Sequence, residues 1–405
     1  MKNKKIITFL MVLVLLIGCT YLINNIYQNK NKINKTKRRK QNNLAIMIKE
    51  EGATEYTKSS LKDIPKGNYV LNRDKSYCKN NGVIGDYDST LGKVSFSFIG
   101  TDSCYLYFDK TIEIITLMTP NNTDIFEENG IRYEGANPNN YICLDNKIGG
   151  TCSDSSLLFR VIGLFEEDAS SDGTTSSGTK KLLKVIDTNN YGGTDGKYWN
   201  SAGTNNWSTA SLKTELNGTY LTTLLGTSNV NSKLSSTITN AKWHLGGASS
   251  SNASTLTADG IYNEERNTSA IYSGNPSSIY AKVGLMYPSD YGYATVGGST
   301  TNKIECRNQT LLNFGTSTYS DCKNNNWLFT SQMSNWGSNK NEWLLSPYSS
   351  GSIGVAFLFT TGSVRLSSGK VQVNQFAVRP TFYLDSNVLK IVGGTGTSTD
   401  PYHIG

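Results

Sequence analysis

Histidine is nearly missing from this chain. His244 and His403 are the two in 405 residues, far apart and without metal-ligand spacing. H-x-x-x-H and C-x-x-C are both absent, so the common zinc signatures do not apply. No glycine-rich phosphate loop follows a strand-like run. Neither a metal nor a cofactor is expected on these grounds. Charge is scarce as well: 18% of residues are charged, and Asn, Ser, Thr, Gly and Tyr take up the difference. That is the make-up of an extracellular β-rich protein with long polar loops. The formal charge of +7 comes from one end. Residues 1–40 carry ten basic residues and no acid, which leaves 29 basic against 32 acidic residues elsewhere, or −3. With no basic stripe to neutralise phosphates, nucleic-acid binding is not expected.

What is present begins with Lys2, Lys4 and Lys5 ahead of an apolar run from Ile6 to Ile17, then Gly18-Cys19. A basic start and a short hydrophobic centre have the form of a signal peptide. Leu16-Ile17-Gly18-Cys19 also resembles the bacterial lipobox, with Cys19 as the lipidated residue. An uncleaved transmembrane helix is the other reading, since the run extends through Thr20-Tyr21-Leu22-Ile23, just long enough to span. Residues 1–27 are therefore an anchor of one kind or the other, and 28–43 a basic stalk. Both readings tether the protein to the extracellular face of a bacterial cell membrane.

The other six cysteines fall in close sequential pairs, Cys78 with Cys104, Cys143 with Cys152 and Cys306 with Cys322. Beyond an export signal, such pairs suggest disulfides. Period-two runs at Gly67–Leu71, Lys93–Phe98 and Cys104–Phe108 mark residues 44–118 as a small all-β module. Residues 119–385 form the large domain, with a C-terminal strand and tail at 386–405. Within it, Ile142–Asp145 and Leu158–Phe165 read as a hairpin and Leu182–Ile186 as a strand. Asn206–Gly218 reads as a capped helix with Leu212 and Leu216 on one face, and a second helix is placed over Asn231–Trp243. Trp343–Leu384 alternates apolar residues between glycine turns, an antiparallel meander in which Pro380 suits a strand start.

Four motifs of the large domain occur in order. They are Asn206-Trp207-Ser208 with Leu212 and Leu216-Asn217; Leu285-Met286-Tyr287-Pro288-Ser289-Asp290-Tyr291; Trp343-Leu344-Leu345-Ser346-Pro347; and Val378-Arg379-Pro380. Together they resemble an uncharacterised family of bacterial surface domains marked by W-x-x-S-x-L-x-x-x-L-N, L-L-S-x-x-E-Y, W-L-R-S-P and G-V-R-P. That family is similar to the formylglycine-generating-enzyme type of C-type-lectin-like fold. The resemblance covers about residues 140–385. It implies an α+β class, with an antiparallel sheet and two short helices in a C-type-lectin-like large domain. Leu345 stands where arginine is usual and Ala377 where glycine is, and Asp290 lies one place from the usual acid, so an arginine-dependent contact at 345 is absent. Residues 343–405 contain no cysteine, and the calcium triplets Glu-Pro-Asn and Gln-Pro-Asp are absent. The fold's best-known chemistries are thereby excluded.

No catalytic constellation emerges. Glu264-Glu265 or Asp154 could belong to a hydrolase pair only if brought near another acid in space. Trp199, Trp207, Trp243, Tyr287, Tyr291 and Trp343 are the candidate ligand-binding residues, because flat aromatic faces stack on sugars and anchor protein interfaces. A core role competes for each, as tryptophan is buried on average. Arg379 is expected to pair with a buried acid, Asp290. The expected function is a membrane-tethered extracellular binding or adhesion protein that recognises a glycan or surface protein without catalysis. A glycan-processing enzyme and a structural envelope protein are the alternatives.

Overall fold

The computed structural model describes residues 18–28, 43–50, 53, 55–59, 63–97, 100–119, 123–330 and 341–405. The apolar run Ile6–Ile17 and most of the basic stalk lie outside them, as does Trp336. Residues 18–28 are helical and carry Cys19 exposed. Among the described residues no helix is long and apolar enough to cross a membrane.

The protein is sheet-rich with few helices and divides into two compact units. The smaller holds residues up to Gly67 together with Leu71–Phe108. In it, Asn43–Lys49 lies between Thr57–Lys58 and Ser103–Lys110, and Tyr77–Cys78 joins the latter strand. Cys78 and Cys104 are opposite one another in that pairing and are bridged. Val83–Asp88 and Lys93–Ser97 form a separate hairpin. The division falls at Phe108/Asp109, ten residues before the expected boundary at 118. The reason is that Ile112–Glu113 pairs with Lys390–Gly393 and so belongs to the larger unit.

The larger unit is built on a long hairpin, Leu158–Ser170 against Gly178–Asp187. Its buried stretch is mostly apolar in both strands, as expected where both faces are covered, with Lys184 a charged exception. Pro380–Asp385 pairs with the second strand, and Val283–Leu285 with Pro380–Asp385. On the other side Tyr141–Cys143 pairs with Leu158–Arg160, as the hairpin reading requires. Tyr402–Ile404 then adds in parallel to Tyr141–Cys143. The C-terminal segment thus adds Lys390–Gly393 and Tyr402–Ile404 to the large sheet. Gly163, at a register shift in the long strand, allows Ile131–Tyr133 to approach. A Cβ there would stand 2.4 Å from the Ile131 carbonyl oxygen.

The Trp343–Leu384 meander is real but divided. Glu342–Pro347, Gly354–Leu358 and Val364–Lys370 make a three-stranded antiparallel sheet, whereas Pro380–Asp385 leaves for the large one. Pro380 begins its strand, where its missing N–H costs no ladder bond. The helix begun at Ser211 does not stop at Asn217-Gly218. It widens into a π turn over Leu216–Tyr220 and continues to Leu225. The turn presents Asn217 to the edge of Val283–Leu285. There its side chain donates to the Val283 carbonyl at 2.8 Å and accepts from the Lys282 and Val283 amides. The second expected helix shrinks to Leu234–Thr237, because Asn240–His244 pairs with Ser278–Ala281 as a strand. All three disulfides join the sequential pairs.

Candidate functional site

Each of the six aromatics proposed to meet a ligand is at most 1% exposed. This corrects the expectation, and their polar atoms show what they do instead. The indole N–H groups of Trp199, Trp243 and Trp343 donate to the carbonyls of Leu344, Ala281 and Lys197 at 3.2, 3.0 and 2.7 Å. Tyr291 donates to the Gly362 carbonyl, and Tyr287 accepts from the His244 amide. Trp207 packs at a tilt against Trp199, and its buried Nε1 has no hydrogen-bond partner. These rings tie segments distant in sequence into one core.

Two of them also enclose a cation. The Lys184 ammonium is buried 4.2 Å from the Tyr287 ring centre, with Trp243 and Tyr383 at 5.4 Å and Phe165 at 5.8 Å. The aromatic cage is thus filled by the protein's own lysine. Lys184 donates at 2.5 Å to Asp290, which also accepts from Arg132 at 3.0 Å and from the Tyr287 amide at 2.9 Å. Burial works against an ionised Asp290, but the two cations and the amide outweigh it and hold its carboxyl below the usual range. Burial likewise pulls the Lys184 ammonium below the ordinary lysine value, and Asp290 restores only part.

Asp290 is therefore not the partner of Arg379. Arg379 grips Glu342 through two bonds of 2.8 Å and donates to the Leu328 carbonyl. Glu342 is fully buried, and burial raises its carboxyl despite that grip. The wrong partner has a simple cause: Glu342 lies next to Ala377 across a bridge, while Asp290 caps Pro288–Tyr293 and is taken up by Lys184 and Arg132.

A second buried chain of charge begins at Glu167, which accepts from Arg266 at 2.9 Å and lies 3.2 Å from His244 Nε2. Burial opposes its ionisation, but these contacts lower its carboxyl. Glu265, on the same helix as Arg266, accepts from both the amide and the hydroxyl of Ser289. It is wholly buried, and burial pushes its carboxyl up to about 7.

The networks back one cavity of about 370 Å³, lined by Glu127, Asn129, Gly130, Ile131, Leu164, Phe165, Glu166, Glu167, Lys181 and Tyr262. Its volume is in the range of small-ligand sites. Arg132 fixes one wall. Its Nε and Nη2 donate to the carbonyls of Glu128 and Asn129 while Nη1 holds Asp290, so the turn that carries Glu127 is tied to the core. Asn129 is steadied by bonds to Tyr293 and Asp259. Tyr262 lies under the Arg266 guanidinium at 3.7 Å. Three carboxylates against one lysine make the lining acidic.

None of the cavity residues was singled out from the sequence. Lys184 did carry a signal: a single charge inside Leu182-Leu183-Lys184-Val185-Ile186 demands a buried counter-ion. Among the described residues, two groups could offer a metal three donor atoms, Cys143 with Asp145 and Cys152, and Cys78 with Asp102 and Cys104, each built around a disulfide. No family model, curated protein or solved structure matches this chain.

Proposed function

We propose that this is a membrane-tethered extracellular binding protein whose large unit, C-type-lectin-like in fold, takes a glycan or surface-protein ligand at the 127–131/164–167 cavity without turnover. The cavity carries the reading: it is of ligand size, it mixes carboxylates, an amide and the Tyr262 ring, and Arg132 braces its wall. The three disulfides are consistent with an oxidising exterior. The anchor and the family resemblance rest on the sequence motifs. Chemistry is poorly served here. Glu167 is clamped by Arg266 and His244, and Glu265, the carboxyl poised near neutrality, is sealed away from the cavity.

The glycan-processing reading draws on the same carboxylates, and an envelope protein without a pocket is disfavoured by the cavity itself. Binding of the purified full chain to cell-wall and host glycans and to surface-protein extracts, with Glu127→Ala and Glu166→Ala as paired variants, separates these readings. Loss of binding in both variants, with an unchanged fold, supports the proposal. Hydrolysis of a wall polysaccharide, or a ligand indifferent to both changes, overturns it.

A further inference from the structure

Along Ser103–Lys110 of the small unit, one strand is apolar on both sides. Cys104, Leu106 and Phe108 are buried on the first, where Tyr87 of the separate hairpin packs against Phe108 at 5.0 Å. Tyr105 and Tyr107 alternate to the second, about 7 Å apart, and are only half-buried. A sheet packed on one face ordinarily turns polar residues to the other. Here the neighbouring segments add further rings instead. Tyr77, the register partner of Tyr105, stacks on it with ring centres 5.0 Å apart and planes 13° apart. Tyr56 stands edge-on to Tyr107 at 5.0 Å. Tyr77 is 47% exposed, so the stack is open to water. Beside it a cavity of about 390 Å³ is bordered by Arg73, Tyr77, Val83 and Ile84. The hydroxyls of Tyr77, Tyr105 and Tyr107 have no hydrogen-bond partner among the described residues, whereas that of Tyr56 accepts from Asn72. Arg73 is paired with Asp86, and Lys75 and Lys79 are the cations held against the rings. Lys75 Nζ lies 4.9 Å from the centre of Tyr56, and Lys79 Nζ 5.4 Å from that of Tyr105. Both lysines are exposed, and neither ammonium pairs with a carboxylate among the described residues. Asp102 alternates to the core side, where it accepts from the amides of Asn80, Gly82 and Ser103.

We propose that this tyrosine face is a second binding site, and that its ligand is an acidic polysaccharide with a carboxylate on successive sugar rings. A pyranose offers a face of C–H groups that packs on an aromatic ring, and edge hydroxyls that meet the free phenol hydroxyls. Tyr105 and Tyr107, two apart along one strand and flanked by Tyr77 and Tyr56, present a row of rings to an extended chain and not to a single sugar. Lys75 and Lys79 set the charge, because a carboxylate at the ring edge gains a charge-assisted bond from an ammonium and a neutral chain gains none. A polyol phosphate satisfies the lysines but brings no ring to the tyrosines. The site shares no residue with the 127–131/164–167 cavity. It gives the small unit a ligand of its own where the sequence indicated only a β module.

The test is affinity electrophoresis of the full chain through gels holding polygalacturonate, its methyl-esterified form or polyglycerol phosphate. Polygalacturonate should retard the chain, and esterification, which keeps the rings and removes the charge, should weaken retention by about tenfold. Tyr77→Ala with Tyr105→Ala should weaken retention on polygalacturonate by about tenfold. Lys75→Gln with Lys79→Gln should do the same, whereas Lys66→Gln with Lys93→Gln, which removes two exposed charges elsewhere on the small unit, should stay within about twofold. No retention on polygalacturonate, equal retention on the esterified polymer, or equal loss in the Lys66/Lys93 control each overturns the proposal. So does retention on polyglycerol phosphate that matches polygalacturonate and survives the tyrosine changes, which would mean attraction to charge alone. Lys75 and Lys79 are exposed, so their variant keeps the fold and decides the matter even if the tyrosine pair loosens the strand.

Discussion

Asp290→Asn strands two cations in the interior. Arg132 and Lys184 are both almost wholly buried, and Asp290 is the acid that binds them. Removing one member of a buried ion pair costs about 3–5 kcal/mol, and here a single change unpairs two groups, so the upper end applies. The cost is bounded because Lys184, already pulled down by burial, can shed its proton. A folded-state lysine below its unfolded value binds fewer protons than the unfolded chain does. The variant should therefore regain stability as pH rises toward the unfolded value of about 10.4. Lys184→Met makes the opposite case. It leaves Asp290 and Arg132 one to one, and a thioether of similar length fills the cage of Tyr287, Trp243, Tyr383 and Phe165. Forfeiting the cation–π contacts costs about 1–2 kcal/mol, offset by no longer desolvating an ammonium. Equilibrium urea unfolding followed by tryptophan fluorescence measures both, with a shared m-value as the check that only stability moved. Asp290→Asn should cost at least about 2 kcal/mol more than Lys184→Met, and the double variant should recover part of the loss. Equal costs for the two single variants would refute the reasoning, since they would mean that charge balance around Asp290 is immaterial.

Glu265 gives the protein a pH dependence of the less familiar sign. Its folded-state carboxyl near 7 exceeds the ordinary 4.5, so the folded chain binds more protons in that window. Stability is fully present below pH 4.5 and falls by about 3 kcal/mol as pH climbs through 7, and Glu265→Gln should flatten that slope in unfolding measured from pH 4.5 to 8. Arg379→Lys keeps the charge but cannot reach both Glu342 oxygens and the Leu328 carbonyl. A drop of about 2–3 kcal/mol, seen as a lower Tm, is expected, and an unchanged Tm would count against the geometric role of the guanidinium.

Much of the strand content was legible, because alternation in Trp343–Lys370 and the apolar runs of the long hairpin are local signals. The cysteine pairs were legible for the same reason, each being near its partner in sequence. What escaped depends on distance. Nothing near Phe382 indicates that it lies opposite Val185, so the last meander strand could not be assigned to another sheet. The aromatic residues misled because type alone does not say which way a ring faces. Trp243 and Tyr287 have the composition of a cation-binding cage and are one, with Lys184 inside. The Arg379 partner was missed because many acids were available and only their three-dimensional placement tells them apart. The Glu127–Tyr262 cavity joins segments about 130 residues apart, none with a motif of its own.

The position of Tyr402–Ile404 sets an order of events. This strand lies between Tyr141–Cys143 and Lys390–Gly393, so the sheet keeps a gap until Tyr402–Ile404 has docked. Contacts spanning some 260 residues close slowly, because the chain between must be gathered first. The large unit is therefore completed late, by the segment that is gathered over the longest stretch of chain. Removing Tyr402–Ile404 would leave Asp145 without His403 and the adjoining strands without their neighbour, exposing the large unit to proteolysis.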